Sequence, residues 1–270
     1  MMGKNPLKRS FDEGRIGSGM FVGEFGTRAI PWILANEGLD FVVYDTEHGG
    51  LSEYAVRDGV LACRAIGITP IVRVRAARRD VICPYLDAGA LGVMVPMVES
   101  GAQARAMVDV ARYHPLGTRG TYFGTAHDLY DAIQDTAVTA REANENVMLI
   151  AQIETARGVE QIDEICETPG LDMVWIGHND LSHSLGIPGR FDDPRFLAAV
   201  QRVVDSALSR QKSVGRLIND PAEAERYATD GYQALALSSD LRVFRSAVQG
   251  VVSRFRGAVA ASAKRSPEAT

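Results

Sequence analysis

The sequence predicts a parallel (β/α)8 barrel, the TIM-barrel class of α/β fold, and three features of the chain indicate it. Short apolar runs alternate with segments of helical periodicity along almost the whole length, as expected of parallel strands joined by crossover helices. Eight such runs are present, which favours a closed barrel over an open doubly wound sheet. The length of 270 residues fits one barrel, for which about 250 residues are typical.

The predicted strands are short and mostly apolar, which is typical of strands buried on both faces of a parallel sheet. They cover residues 19–23, 41–44, 70–74, 92–96, 147–154, 173–177, 214–218 and 234–237. Helices are predicted near 28–37, 52–66, 81–88, 101–112, 221–229 and 241–255.

The remaining chain consists of one long insertion and the terminus. Residues 113–146 form an irregular segment, and a segment of this length usually carries function or short helices of its own. We expect one barrel domain over residues 1–257. The small, polar residues 258–270 are expected to form a disordered tail.

The composition argues against several classes of function. A net charge of -5 and a pI near 5.6 argue against nucleic acid as a partner. No run approaches the roughly 18 apolar residues of a membrane span, and the first residues lack the apolar core of a signal peptide. A cytoplasmic protein is therefore expected. The three cysteines have neither zinc spacing nor an even disulfide framework and are expected to be reduced.

Two cofactors are disfavoured by what the sequence lacks. No G-x-G-x-x-G follows the first strand, so the main signature of an NAD-binding fold is absent. The only lysines are Lys4, Lys8, Lys212 and Lys264, and none follows a strand that could carry the site. A Schiff base, with substrate or with PLP, is therefore not expected.

Polar residues collect at the predicted carboxyl ends of the strands, where barrels hold their active sites. A buried carboxylate there is costly unless a cation or a proton meets it. Glu154 and Asp180 could therefore be oxygen ligands of a divalent ion, although helix caps or ion pairs explain them equally well. The other polar residues at these ends are Asp45, His48, Arg73, Gln152, His178 and Asn179.

His48 and Arg73 each allow a functional and a structural interpretation. A neutral imidazole at His48 could take a proton near pH 7, or it could be a buried structural histidine. Arg73 lies in an apolar strand and needs an anion, either a ligand or an acid such as Asp45. The remaining histidines, His114, His127 and His183, are expected at the surface, and the two tryptophans, Trp32 and Trp175, in the core.

These residues together resemble the HpcH/HpaI aldolases, which are metal-dependent class II pyruvate aldolases with a (β/α)8 barrel. The resemblance covers most of the chain, in order and at compatible spacing. Each motif alone is weak, but the set is specific. The matching segments are residues 45–49, 70–73, 86–90, 95–98, 117–120, 152–154 and 177–182.

The resemblance implies a role for each site residue. Glu154 and Asp180 would bind a divalent ion, for which Mg²⁺, Mn²⁺ and Co²⁺ are all compatible. His48 would be the general base, oriented by Asp87, with Arg73 beside the keto oxygen of the substrate.

Further roles follow from the same resemblance. Asp45 matches an acid of the pocket, and Gln152 matches a polar neighbour of the metal. Backbone N–H groups around Asn179 and Asp180 would receive the carboxylate of pyruvate. The family's oligomers, typically hexamers with an exchanged C-terminal helix, imply a homo-oligomer in which Asp87 would serve another chain's site.

The chain departs from the family pattern at three places, one of which is Glu24 at the end of the first strand. His178 stands where many members have proline, and residues 121–130 are bulky and lack the arginine that helps to select the aldehyde. The acceptor substrate is therefore left open.

The expected function is a metal-dependent class II aldolase that joins or cleaves a C–C bond between a pyruvate-type enolate and an aldehyde. Its partners would be a small 2-oxo acid and an aldehyde. Two alternatives remain. One is a related metal-enolate lyase or condensing enzyme that acts on oxaloacetate or an acyl-CoA ester, and the other is a non-catalytic protein that kept the barrel.

Overall fold

Eight parallel strands in chain order form a closed barrel, in which the first strand pairs with the last. The computed structural model describes residues 4–218 and 220–263. This architecture confirms the predicted (β/α)8 barrel. The strands are β1 Gly17–Val22, β2 Phe41–Asp45, β3 Thr69–Arg73, β4 Gly92–Val95, β5 Met148–Ile153, β6 Met173–Ile176, β7 Ser213–Leu217 and β8 Ala234–Ser239.

Helices surround the barrel and occupy the insertion. The 3₁₀ turns Ala126–Asp128 and Pro221–Glu223 supplement them. The helices are α1 Pro6–Asp12, α2 Ala29–Asn36, α3 Glu53–Ile66, α4 Arg79–Asp87, α5 Gly101–Ala111, α6 Thr136–Asn146, α7 Ala156–Glu160, α8 Ile162–Cys166, α9 His178–Ser184, α10 Pro194–Ser209, α11 Ala224–Thr229 and α12 Asp240–Ala263.

The barrel interior is filled by side chains, because alternate residues of every strand point inward. Phe21 and Phe41 pack edge-on against the ring of Trp175 at centroid distances of 5.9 and 6.3 Å. The amino-terminal end is closed by α1, whose Leu7 is fully buried in the same cluster. The interior of the barrel is therefore a packed core and not a channel.

Asp240 links the last strand of the barrel to the loop after the first strand, at the carboxyl-terminal mouth. One oxygen of this carboxylate accepts the backbone N–H groups of Gly23, Glu24 and Phe25 at 3.1, 2.9 and 2.8 Å. These residues follow β1, and Asp240 follows β8. The closing strand pair is thus reinforced by a side chain at the point where the chain leaves the barrel.

Two predictions about single residues were wrong. Trp175 is buried as expected, but Trp32 is 52% exposed. Helix α2 is apolar almost all round, so its pattern did not reveal that Pro31 and Leu34 form the buried face. His127 is buried rather than at the surface, and its Nε2 lies 3.1 Å from the carbonyl oxygen of Tyr122, because the insertion folds back over it.

The C-terminal helix is longer than predicted. Helix α12 continues through residues 258–263, an alanine-rich stretch with high helix propensity, so these residues are helical rather than frayed. Residues 264–270 of the predicted tail lie outside the described residues. Among the helices of residues 4–218 and 220–263, none is both long and apolar enough to cross a membrane.

Candidate active site

A cavity of about 230 Å³ opens at the carboxyl-terminal end of the barrel. Phe21, Trp175 and Leu217 form part of its apolar wall. Seven of the nine residues that the sequence singled out line it, as expected if strand ends converge at one face. They are Asp45, His48, Arg73, Gln152, His178, Asn179 and Asp180.

Glu154 directly follows β5 and is only 3% exposed. One carboxylate oxygen accepts the backbone N–H of Met97 at 2.8 Å, and the other accepts the side-chain amide of Gln152. Burial raises the pKa of Glu154 and the nearby carboxylates of Glu47 and Asp180 raise it further, while the two hydrogen bonds oppose the shift. A cation at this point would stabilise the ionised form.

The amide oxygen of Gln152 is also buried, and it has no hydrogen-bond partner within the described residues. Buried polar atoms of this kind are rare and need an explanation such as an ion or a water. Gln152 thus fixes one oxygen of Glu154 through its amide nitrogen and leaves its own oxygen available.

Gly177 allows this pair of side chains to lie against the backbone. A Cβ at this position would lie 2.4 Å from Oε2 of Glu154, 2.7 Å from its Cβ and 3.1 Å from Nε2 of Gln152. These distances are shorter than any ordinary contact. The residue before α9 is therefore glycine because the carboxylate occupies the space of a side chain.

Arg73 and Asp45 form a bidentate ion pair between the neighbouring ends of β3 and β2. Nε and Nη2 of Arg73 lie 2.9 and 2.6 Å from the two oxygens of Asp45. Burial alone would raise the pKa of Asp45, but the hydrogen bonds and charge of Arg73 lower it, together with the backbone N–H groups of Glu47 and His48. The structural interpretation of Arg73, pairing with Asp45, is therefore present, and the guanidinium still lines the cavity.

His48 and Asp87 are not brought together within one chain. The imidazole of His48 is 66% exposed, and its Nε2 lies 3.8 Å from the carboxylate of Glu47. Asp87, at the end of α4, pairs instead with the buried guanidinium of Arg119 at 2.6 Å and does not line the cavity.

The three polar residues after β6 lie in the first turn of α9 rather than in the strand itself. Asn179 and Asp180 are exposed to the mouth of the cavity. His178 is buried and packs edge-on against Phe191 at 5.2 Å. Burial lowers the pKa of His178 to about 4, and the charges of two arginines contribute, so this imidazole is neutral near pH 7.

Glu47 is a residue that the sequence reasoning missed. Its Oε2 is buried, makes no hydrogen bond within the described residues and lies 3.4 Å from Nε of Arg73. Burial raises the pKa of Glu47, the charges of Arg73 and His48 oppose the shift, and those of Asp45 and Asp180 add to it. The polar run 45–48 after β2 was visible, but nothing in it distinguished which side chains turn toward the cavity.

The oxygen donors at this site suit a hard divalent ion. In the described ranges, no group of three or more His, Cys, Asp or Glu side chains could hold a metal by itself. Magnesium usually takes only one or two carboxylates and completes its shell with waters and substrate oxygens. The buried Glu154, the unpartnered oxygen of Gln152 and the nearby Asp180 fit this requirement.

Comparison with known proteins supports the same family as the motifs. The family model described as HpcH/HpaI aldolase/citrate lyase matches residues 18–247. A hydroxypyruvate/pyruvate aldolase from Chromohalobacter salexigens is 32% identical over 255 residues, which cover 94% of this chain and 98% of the relative.

Two solved structures extend the comparison. An HpcH/HpaI aldolase from Desulfitobacterium hafniense DCB-2 is 28% identical with a TM-score of 0.89, and the match covers 93% of this chain and 96% of the other. Citrate synthase SbnG is 30% identical with a TM-score of 0.79 and coverages of 97% and 98%. The chain therefore belongs to the HpcH/HpaI aldolase/citrate lyase family and is a carbon–carbon lyase of the class II aldolase type.

Proposed function

We propose that this protein joins or cleaves a C–C bond between the enolate of a pyruvate-type 2-oxo acid and an aldehyde, at the cavity lined by Arg73, Gln152 and Asp180. The observation that carries the proposal is the buried Gln152–Glu154 pair, held against Gly177 and facing two further carboxylates. Such a cluster of acids is unfavourable unless positive charge binds there.

Glu154 and Asp180 would hold the divalent ion, and Gln152 would position Glu154. Mg²⁺, Mn²⁺ and Co²⁺ all accept such oxygen ligands. When bound, the ion supplies Lewis-acid stabilisation of negative charge that develops on a substrate oxygen. Glu47, with its buried and unbonded oxygen, would accept a hydrogen bond from a water in the same space.

Arg73, at the end of β3, would stabilise the enolate. Its bidentate pair with Asp45 fixes the guanidinium before substrate binds, so little reorganisation is needed during reaction. Backbone N–H groups near Asn179 and Asp180 would receive the substrate carboxylate.

His48 would move the proton. In the cleavage direction a base takes the proton of the C4 hydroxyl, the C3–C4 bond breaks, and its electron pair forms the enolate while the aldehyde leaves. C3 is then protonated to give the 2-oxo acid. The exposed imidazole of His48 can reach this proton through a water, and general-base catalysis typically contributes about 10²- to 10⁴-fold.

The quaternary structure is part of the proposal. Helix α12 exposes apolar side chains, with Phe244, Val251 and Phe255 each more than half exposed. We expect these residues to be covered in a homo-oligomer, and Asp87 would then reach His48 only from another subunit. Sedimentation of the full chain, with Phe255→Ser as the variant, tests this: a monomeric wild type contradicts it.

The experiment that tests the reaction measures, by NMR, the exchange of the pyruvate methyl protons for deuterium. One sample contains added Mg²⁺ without Mn²⁺, and the other contains EDTA. The variant is Glu154→Ala, and Glu160→Ala, an exposed acid of α7, is the matched control. We expect exchange in the wild type and the control, and none with EDTA or in Glu154→Ala. If exchange persists both with EDTA and in Glu154→Ala, the assigned site is contradicted.

A further inference from the structure

A second cavity, of about 560 Å³, lies on the outer side of the barrel, between β7 and the helices α10 and α11. Its volume is within the range of small-molecule pockets. Arg216 of β7 lines it, whereas the next residue, Leu217, lines the active-site cavity, because successive residues of a strand point to opposite faces. The apolar wall of this outer cavity consists of Phe191, Phe196, Leu197, Val200 and Val204.

The guanidinium of Arg216 is buried without an acid. The residue is only 7% exposed, and no carboxylate of residues 4–218 or 220–263 forms an ion pair with it. Its one hydrogen bond within the same ranges runs from Nε to the carbonyl oxygen of Leu217 at 3.4 Å, which is long. Buried charge is costly unless it is paired and hydrogen-bonded. The N–H donors on both Nη atoms of Arg216 are therefore available to a ligand in the cavity.

The hydroxyl of Tyr232 is a second unused donor in the same cavity wall. Tyr232 is 2% exposed, and its hydroxyl oxygen is buried without a hydrogen-bond partner among the described residues. Burial raises the pKa of Tyr232 to about 12, against the opposing effect of the nearby Arg216, so the hydroxyl is protonated at pH 7. Buried polar atoms without a partner are rare and need an explanation. Two nine-tenths buried side chains therefore present donors to one cavity.

Stacking on tyrosine accounts for the position of Arg216 but not for its unused donors. Its Cζ lies 4.4 Å from the ring centroid of Tyr227 and 6.0 Å from that of Tyr232. Such contacts stabilise a buried cation through the flat face of the guanidinium. The N–H groups lie in the plane of the guanidinium and point outward from its edge. The aromatic rings thus hold the group in place and leave its edge free to bind oxygen atoms.

The other charged residues of the cavity indicate the charge of the ligand. Asp192 and Asp230 are exposed at its rim, and Glu223 pairs with Arg226 at 3.5 Å. These acids would repel a ligand with two or more negative charges, such as a phosphate ester. A carboxylate has one charge, and its two oxygens fit the paired N–H groups of a guanidinium edge. The apolar wall would contact an apolar body.

We propose that this outer cavity binds a small monocarboxylate with an apolar body, whose oxygens accept hydrogen bonds from Arg216 and Tyr232. The proposal does not depend on the aldolase reaction, because neither residue lines the active-site cavity. Binding can therefore be measured without divalent ions and without turnover.

The test is a titration of the full chain with benzoate, followed by saturation-transfer difference NMR in the presence of EDTA. A second arm uses hexanoate, which distinguishes an aromatic body from an aliphatic one. We expect saturation of the wild type with benzoate, with hexanoate, or with both. Benzamide has nearly the shape of benzoate but no charge, and it should not saturate the protein.

Two variants locate the site. Arg216→Met removes the guanidinium and should weaken carboxylate binding about tenfold or more, the effect of losing a charge-assisted hydrogen bond. Tyr232→Phe removes only the hydroxyl and should weaken binding about three- to tenfold. Without ligand, the Tm of Tyr232→Phe should not fall, because the deleted hydroxyl has no partner in the described part of the chain. Arg105→Met, at an exposed arginine of α5, is the matched control and should leave the affinity unchanged.

No saturation by either carboxylate up to millimolar concentration overturns the proposal. It is also overturned if benzamide binds as well as benzoate, or if Arg216→Met and Tyr232→Phe bind as tightly as Arg105→Met. If Arg216→Met does not fold, Tyr232→Phe, which deletes one atom, replaces it. Pyruvate methyl exchange with added Mg²⁺ should be the same in Tyr232→Phe and the wild type. Failure of exchange in both proteins would contradict the proposed reaction and not this binding site.

Discussion

Replacing Gly177 by alanine should disable the site while leaving the barrel folded. The new Cβ would lie 2.4 Å from Oε2 of Glu154, about 1 Å short of the 3.4 Å at which ordinary contact begins. The φ angle of −86° is accessible to alanine, so the change adds no backbone strain and acts only through this contact.

The carboxylate must then move by about 1 Å, because Gly177 is anchored between β6 and α9. A misplacement of this size can cost about 10²-fold in rate. Overpacking of this kind typically costs about 1–3 kcal/mol of stability. We therefore expect pyruvate methyl exchange to fall about 10²-fold, with Mn²⁺ affinity, measured by EPR titration, weakened about 10- to 100-fold.

Gly257→Ala is the matched control, since nothing lies within 4 Å of a Cβ there and the residue is in the interior of α12. It should raise stability by about 0.5–1 kcal/mol and leave exchange unchanged. Retention of both exchange and Mn²⁺ affinity within twofold in Gly177→Ala would refute the argument that glycine is required to position Glu154.

Three further predictions test other parts of the structure. Gln152→Leu removes a donor to Glu154 and should weaken Mn²⁺ binding about tenfold in EPR titration; unchanged affinity would show that the amide does not position the carboxylate. Burial lowers the pKa of His127 from its usual 6.5, so below pH 6.5 the unfolded chain binds a proton that the folded chain does not, and stability falls as the pH falls. Urea midpoints at pH 7.5 and 5 should therefore differ less in His127→Gln than in the wild type, and an equal difference contradicts the buried neutral imidazole. Trp32→Ser should change the free energy of unfolding by less than about 0.5 kcal/mol and Trp175→Ala should lower it by about 3–5 kcal/mol; a large loss at Trp32 would mean that its face is covered.

Much of the barrel could be predicted because its strands are apolar runs bounded by turn residues. Each predicted strand agrees with the observed one to within two residues at both ends. The inner and outer faces of such strands are both buried, so the runs stand out from the amphipathic helices between them. Helix α1 could not be predicted, since residues 6–12 are mostly polar and the helix depends on burial of Leu7 and on hydrogen bonds from Asn5.

The site residues that belong to strands could be predicted, because the position of a residue along a strand determines where it lies in the barrel. Asp45, Arg73 and Gln152 belong to strands and line the cavity as expected. Glu47 and Asp87 were less predictable because both lie outside strands. The bend after β2 brings Oε2 of Glu47 to 3.4 Å from Nε of Arg73, and Asp87 pairs with Arg119.

The carboxylate of Asp240 has a consequence for how the chain is made. The strand that closes the ring is the last of eight, and its fastening to the loop after β1 comes one residue later, at position 240 of 270. During synthesis from the amino terminus, every earlier length of chain is an open sheet with two unpaired edges. Closure of the ring therefore requires the chain through Asp240. A chain that ends before Asp240 would lack the carboxylate that fastens the last strand to the loop after β1.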